Sequence, residues 1–189
     1  MSKILAKLGD AIFKMNGWTY DANPAILSDK QVIIGFEHTS NLDTILSLAL
    51  FRILDVKVHT LIKKELFKGP MKPLLEALGG IAVDRQAATD VVGQMAKQFA
   101  AQDKFTLVIA PEATRAKGET DVRKPIKTGF WHIAKAANVP IVLMYANSRT
   151  KHGGLLGKII PGDDLQADLQ EIKRRYQEIG IEVNIPEPK

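Results

Sequence analysis

The sequence contains no cysteine among its 189 residues. Disulfides, thiolate zinc sites and cysteine nucleophiles are therefore excluded. Aromatic residues are also scarce, at 6% of the chain, and no dense run of Lys and Arg occurs. Proteins that bind nucleic acid usually carry such a basic run, a zinc pattern or a set of stacking aromatics. We therefore expect no nucleic-acid partner.

Long hydrophobic runs are absent as well. The longest apolar or nearly apolar run covers residues 44–51, whereas a helix that spans a bilayer needs about 20 such residues. The N-terminal residues carry lysines throughout and lack the apolar centre of a secretory signal. We therefore expect a cytoplasmic protein, for which any membrane contact is peripheral and at the inner membrane surface.

The composition that remains is that of a folded domain with a mild positive charge. Hydrophobic residues make up 46% and charged residues 25% of the chain, and both values are typical of globular proteins. We expect a single domain over residues 1–189, with an N-terminal amphipathic helix (1–18), a core that carries the motifs (31–145) and a C-terminal helix and strand (146–189). The net charge of +5 favours an anionic partner such as a phosphate, a coenzyme or a phospholipid surface.

Residues 2–15 have the pattern of a basic amphipathic helix. Its predicted apolar face consists of residues that recur at helical spacing: Ile4, Leu5, Leu8, Ile12 and Met15. Such a helix could lie in a membrane interface, or its apolar face could pack on the domain.

The remaining pattern alternates strands and helices. Continuous apolar runs at 31–36, 105–110 and 139–145 predict buried central strands, and helical patterns separate them. A further strand is predicted at 181–185. This alternation predicts an α/β fold with a largely parallel central sheet that is flanked by helices.

His38 and Asp43 follow the first of these strands with the spacing H-x4-D. His38 is expected on the loop and Asp43 in the first turn of the next helix. There the carboxylate could accept a hydrogen bond from one imidazole nitrogen and leave the other nitrogen as an acceptor for a substrate O–H. Taken alone, the spacing favours an ordinary capping or surface pair over a catalytic dyad.

Two further loops bring polar residues to the ends of strands. Glu112, Thr114 and Arg115 follow the strand at 105–110, and Arg85 follows a short strand after a Gly-Gly turn. Lys64 adds positive charge after another predicted strand. Ligand sites of such folds gather at the carboxyl ends of parallel strands, and Arg can bind a phosphate with two hydrogen bonds. Without further context, a capped loop with an ordinary surface ion pair explains residues 111–115 better than a ligand site does.

Together, however, the motifs resemble those of a known family. The order H-x4-D (38–43), G-x-x-x-D-R (80–85), P-E-x-T-R (111–115) and V-P-I-V (139–142) is similar to that of the glycerolipid acyltransferases. This family includes 1-acylglycerol-3-phosphate acyltransferases and their lysophospholipid-acylating relatives. Residues 161–168 resemble the tail of a short, soluble-looking branch of the family.

The resemblance implies a fold like that of glycerol-3-phosphate acyltransferases and a direct transfer reaction. His38 would act as general base on a hydroxyl of a lipid acceptor, and Asp43 would orient it. The hydroxyl would attack the thioester of acyl-CoA or acyl carrier protein, which is a cosubstrate, so that neither cofactor nor metal is expected. The acceptor would be held by the residues Arg85, Glu112, Thr114 and Arg115, with Lys64 nearby.

Two positions depart from the family pattern, and two other functions stay open. Ala113 stands where the family usually has Gly, and Leu42 where many members carry an aromatic residue. A catalytically silent protein of this fold could bind acyl chains or an anionic membrane, although it would have no reason to keep both His38 and Asp43. A hydrolase could use the same pair on water, but the G-x-S-x-G elbow does not occur.

Overall fold

A computed structural model describes residues 3–36, 41–83, 88–111 and 126–186 of the protein. These residues form the following α-helices: α1 (Lys3–Met15), α2 (Asn41–Ile53), α3 (Met71–Ala77), α4 (Ala88–Ala101), α5 (Gly129–Ala137) and α6 (Leu165–Glu178). They form the following strands: β1 (Thr19–Asp21), β2 (Lys30–Phe36), β3 (Val58–Lys63), β4 (Gly80–Val83), β5 (Phe105–Ile109), β6 (Ile141–Asn147) and β7 (His152–Ile159). Short 3-10 helices cover Pro24–Ile26 and Lys64–Leu66.

The strands form one sheet of seven strands in the order β1-β7-β6-β2-β5-β3-β4. The five strands from β6 to β4 are parallel to one another. Strand β7 is antiparallel to β6, and β1 is parallel to β7. The prediction of an α/β fold with a largely parallel central sheet is therefore confirmed, with an edge pair that runs in the opposite direction.

Helices cover both faces of the sheet, which explains why its central strands are almost wholly apolar. In β2, Val32, Ile34 and Phe36 pack with side chains of α4, α5 and α6, whereas Ile33 packs with those of α1 and α2. The side chains of a strand point alternately to its two faces. Gln31 and Gly35 therefore share the face of Ile33, which we call the α2 face.

Helix α1 packs mainly on α2 and also contacts the sheet edge, where the rings of Phe13 and Tyr20 lie 4.6 Å apart between centroids. Gly9 and Phe13 are its buried residues, and a Cβ atom at Gly9 would lie 2.7 Å from the carbonyl oxygen of Ala49. Only part of the predicted apolar face therefore packs on the domain, because Ile4, Leu8 and Met15 are exposed. The buried side of α1 includes Gly9, and an analysis of hydrophobic periodicity does not detect a glycine as a buried position.

The C-terminal strand predicted at 181–185 is not present. These residues form no regular secondary structure and join no strand of the sheet. Their alternation is nevertheless real, because Ile181, Val183 and Ile185 are buried in the core. The alternation arises because the segment packs its side chains without joining a ladder of backbone hydrogen bonds.

The sheet edge also contains strands that the sequence pattern did not predict. Strand β7 includes three glycines and begins at His152, whose imidazole joins it to β1. One ring nitrogen lies 2.7 Å from Thr19 Oγ1 and the other lies 3.2 Å from Asp21 Oδ2. Strands β1 and β7 pair in parallel, with Thr19 opposite His152 and Asp21 opposite Gly154.

None of the helices in the described ranges has the length and apolar character required to cross a membrane.

The close approach of α1 to α2 can be tested with two glycines that differ only in their surroundings. Replacement of a helical glycine by alanine normally stabilises a helix by about 0.5–1 kcal/mol. At Gly93 no atom lies within 4 Å of the added Cβ, so we expect Gly93→Ala to raise the melting temperature. At Gly9 the contact with backbone of α2 opposes this gain, so we expect Gly9→Ala to lower it. Equal shifts in thermal unfolding would show that α1 is not packed tightly on α2.

Candidate active site

The strands that precede the predicted motifs end at the same edge of the sheet. Strands β2, β4 and β5 are parallel and end at Phe36, Val83 and Ile109. In folds of this kind, ligands bind at the carboxyl edge of the sheet. The predicted site residues His38, Arg85, Glu112, Thr114 and Arg115 lie outside the described residues. Asp43 and Lys64 lie within them.

Asp43 is buried in the first turn of α2. Its relative exposure is 3%, and the N-terminal end of a helix favours a carboxylate because the helix dipole is positive there. One turn further, the hydroxyl of Ser47 donates a hydrogen bond of 2.7 Å to the carbonyl oxygen of Asp43. The placement of Asp43 in the first turn agrees with the prediction.

A groove of about 220 Å³ lies directly beside Asp43, between α2 and the sheet. It runs along α2 from Asp43 to Phe51, a distance of about 12 Å at 1.5 Å per residue. The end of α3 closes the other side through Leu78. The groove is lined by Gly35, Phe36, Asp43, Thr44, Ser47, Leu48, Phe51, Val58, His59, Thr60, Leu78, Val108, Ile109, Ala110, Met144, Tyr145 and Ala146.

The groove exists because three neighbouring strands present small residues where α2 crosses them. Gly35 of β2 is opposite Met144 of β6, and Ala110 follows Ile109, which pairs with Ile34. Ala146 lies two residues beyond Met144. A Cβ atom at Gly35 would already lie 3.0 Å from Met144 Cε. Larger side chains at these positions would therefore fill the space under α2.

The side of the groove that α2 forms is polar near the N-terminus of the helix and apolar beyond it. Asp43, Thr44 and Ser47 line the part next to the helix N-terminus, whereas Leu48 and Phe51 line the following turn. Such a division suits an amphiphilic molecule, with a reactive polar group near Asp43 and a hydrocarbon chain along the sheet.

Lys64, His132 and His152 do not line this groove, whereas His59 is one of its lining residues. Lys64 is exposed at the start of the 3-10 helix after β3 and does not line the groove. The ring of His59 stacks on Phe105 at 4.5 Å, on the opposite face of the sheet. Burial lowers the pKa of His59 below its usual value. His132 is exposed on α5, and His152 belongs to the sheet edge.

Sequence reasoning missed most residues of the groove. The spacing of Asp43, Ser47 and Phe51 places them along one side of α2, and this could have been read from the sequence. The small residues at the ends of β2, β5 and β6 could not, because only the strand register brings them together.

The chain matches the model of a known protein family along most of its length. The acyltransferase family model matches residues 20–146. Among solved structures, the chain is similar to the crystal structure of the 1-acyl-sn-glycerophosphate (LPA) acyltransferase PlsC from Thermotoga maritima. The TM-score is 0.59 at 16% identity, and the match covers 94% of this chain and 79% of that chain. No curated protein sequence gives a significant match.

The fold and the groove are thus those of an α/β protein with a largely apolar groove at the carboxyl edge of its sheet. The chain belongs to the acyltransferase family. The resemblance to the glycerolipid acyltransferases is confirmed, and family and fold together support a lipid acyltransferase activity. Such an activity requires an acyl donor and a lipid acceptor.

The apolar part of the groove can be tested without assuming any reaction. Ala110→Leu adds three carbon atoms at the groove floor, so we expect weaker binding of an apolar fluorescent probe such as a dansylated fatty acid. The matched control is Ala101→Leu, which adds the same atoms at the exposed end of α4. A probe affinity that both substitutions leave unchanged would show that the groove does not bind hydrocarbon chains.

Proposed function

We propose that the protein transfers a fatty acyl group from acyl-CoA or acyl carrier protein to a hydroxyl of a glycerophosphate-like or other lipid acceptor. The observation that carries this proposal is the buried Asp43 at the polar end of a largely apolar groove. The acyl chain lies along the groove, and its thioester carbonyl lies near the first turn of α2.

In the proposed reaction His38 is the general base and Asp43 orients it. His38 removes the proton of the acceptor hydroxyl while the oxygen attacks the thioester carbonyl. The new C–O ester bond forms, the C–S bond breaks, and the departing thiolate takes the proton from the imidazolium. Asp43 holds the imidazole in the correct tautomer and stabilises its cationic form, and its buried position strengthens that interaction.

The acceptor is held by groups that bind anions. Arg can bind a phosphate with two parallel hydrogen bonds, and a hydroxyl or carboxylate can orient the neighbouring groups. The residues proposed for this role are Arg85, Glu112, Thr114 and Arg115. Lys64, exposed after the carboxyl end of β3, adds long-range attraction for the phosphate. The reaction requires no metal or cofactor besides the thioester cosubstrate.

Substitution of the proposed dyad tests this mechanism. General acid–base catalysis contributes typically about 10²–10⁴-fold, so we expect His38→Ala and Asp43→Asn each to lower kcat by at least about 100-fold. The assay is mass spectrometry of acylated product, with acyl-CoA and acyl carrier protein donors tested against a panel of hydroxylated acceptors.

The matched control is Asp29→Asn, because Asp29 is an exposed carboxylate paired with Lys104 at 3.1 Å near the amino end of β2. It should keep full activity. Unchanged turnover in His38→Ala would remove the dyad from the mechanism. A wild-type protein that binds acyl chains but transfers none would be a silent member of the family, and free fatty acid formed without an acceptor would indicate a hydrolase.

We also propose that α1 makes a peripheral contact with the cytoplasmic surface of a membrane. Its side opposite α2 exposes Ile4 and Leu8, flanked by the exposed lysines Lys3 and Lys7. Exposed apolar side chains next to lysines are typical of helices that lie in a lipid interface.

This contact predicts a loss of lipid binding when α1 becomes more polar. We expect Ile4→Ser/Leu8→Ser to bind less to vesicles that contain phosphatidylglycerol, measured by co-sedimentation. The structure should not change, because neither side chain is buried. Vesicle binding equal to that of wild type would contradict a role for α1 at the membrane.

A further inference from the structure

The strongly exposed large apolar side chains are distributed unevenly over the described part of the chain. One of them, Ile160, follows β7 at the amino edge of the parallel strands. The others all belong to α1, α2 or residues 63–78: Ile4, Leu8, Met15, Ile45, Leu48, Leu66, Met71, Leu74 and Leu78. Exposed apolar area that is concentrated in this way marks an interaction surface.

Residues 63–78 carry the densest part of this surface, which we call the α3 surface. Leu66, Met71, Leu74 and Leu78 are 56%, 48%, 52% and 62% exposed. Met71, Leu74 and Leu78 follow the spacing i, i+3, i+7 and therefore lie on one side of the helical turns. Within the described part of the chain, these side chains stay exposed in the folded domain, so packing among the described residues does not account for them.

The charges of the α3 surface indicate its partner. Residues 63–78 include four lysines and two glutamates. The lysines Lys63, Lys64, Lys68 and Lys72 are all exposed. In contact with an anionic bilayer, the leucine and methionine side chains would enter the acyl region, and the lysines would attract the negative headgroups.

The α3 surface is continuous with the groove. Leu48 of α2 and Leu78 at the end of α3 both line the groove, yet they are 48% and 62% exposed. They therefore form part of the groove wall and part of the outer surface at once. A hydrocarbon chain that passes between them stays in contact with apolar side chains along its path.

We propose that the α3 surface docks on an anionic phospholipid bilayer and that lipid chains pass from the bilayer into the groove between Leu48 and Leu78. The docking step stands on the exposed residues alone, whereas the passage of lipid chains rests on the proposed function. This surface is separate from α1 and lies beside the groove, so it controls the supply of substrate as well as attachment.

The test uses the full chain and a double substitution, Met71→Glu/Leu74→Glu. Neither residue lines the groove, and both are exposed, so the fold and the groove should persist. Co-sedimentation with vesicles of phosphatidylglycerol and phosphatidylcholine should show binding at least about tenfold weaker than wild type, because two apolar contacts are replaced by charges that the anionic surface repels. Ile160→Glu is the matched control and should bind as wild type does.

Several outcomes would overturn the docking proposal. These are unchanged vesicle binding in the double variant, an equal loss in Ile160→Glu, and wild-type binding that is as strong to pure phosphatidylcholine. If sedimentation velocity instead shows a wild-type dimer that the double variant dissociates, the surface joins two copies of the chain and the proposal is wrong.

A second readout separates docking from chemistry. With a short-chain donor and a short-chain acceptor, both dissolved as monomers, the double variant should keep wild-type activity. With a lysophospholipid embedded in vesicles, its activity should fall at least about tenfold. An equal fall on both substrates would overturn the passage of lipid from bilayer to groove. A wild type that transfers no acyl group at all would refute the proposed function, while vesicle binding would still decide the docking surface.

Discussion

The position of α2 across the carboxyl ends of β2, β5 and β6 is the constraint on which the site depends. Gly35, Ala110 and Ala146 are too small to fill the space beneath the helix, and this leaves the groove. The same helix carries Asp43 in its first turn, so α2 both places the carboxylate and forms one wall of the groove. Helix α1 then contacts α2 so closely at Gly9 that a side chain there would meet the backbone of Ala49. The groove therefore depends on the packing of α1 against α2 and on the small residues of the strands beneath α2.

Hydrophobic pattern predicted the centre of the sheet better than its edges. The apolar runs that became β2, β5 and β6 are buried on both faces, and such strands have a clear signature in sequence. Strand β7 was missed because its three glycines weaken any strand pattern. The segment at 181–185 was wrongly predicted as a strand because alternation reports which side chains are buried. It does not report whether the backbone joins a ladder.

The candidate site, too, could be predicted from the sequence only in part. Asp43 could be predicted because a motif and a helix start fall within a few residues of each other. The groove could not, since residues 35, 110 and 146 are far apart in the chain and become neighbours only through strand register. Their small side chains look like ordinary core residues in sequence. The family resemblance was available from the order of four motifs, and the family match over residues 20–146 confirms it.

Two exposed leucines, Leu48 of α2 and Leu78 at the end of α3, also line the groove. A domain that kept these side chains for stability would bury them, as it buries Phe13 and Leu46 on the same face of the sheet. Local choices that oppose stability are expected where function needs them. Leu48 and Leu78 belong both to the wall of the groove and to the outer surface, so the entrance of the groove is apolar. A hydrocarbon chain that enters the groove from water would not need an apolar entrance. A hydrocarbon chain that enters from a bilayer does need one, because without it the chain would lose contact with apolar groups.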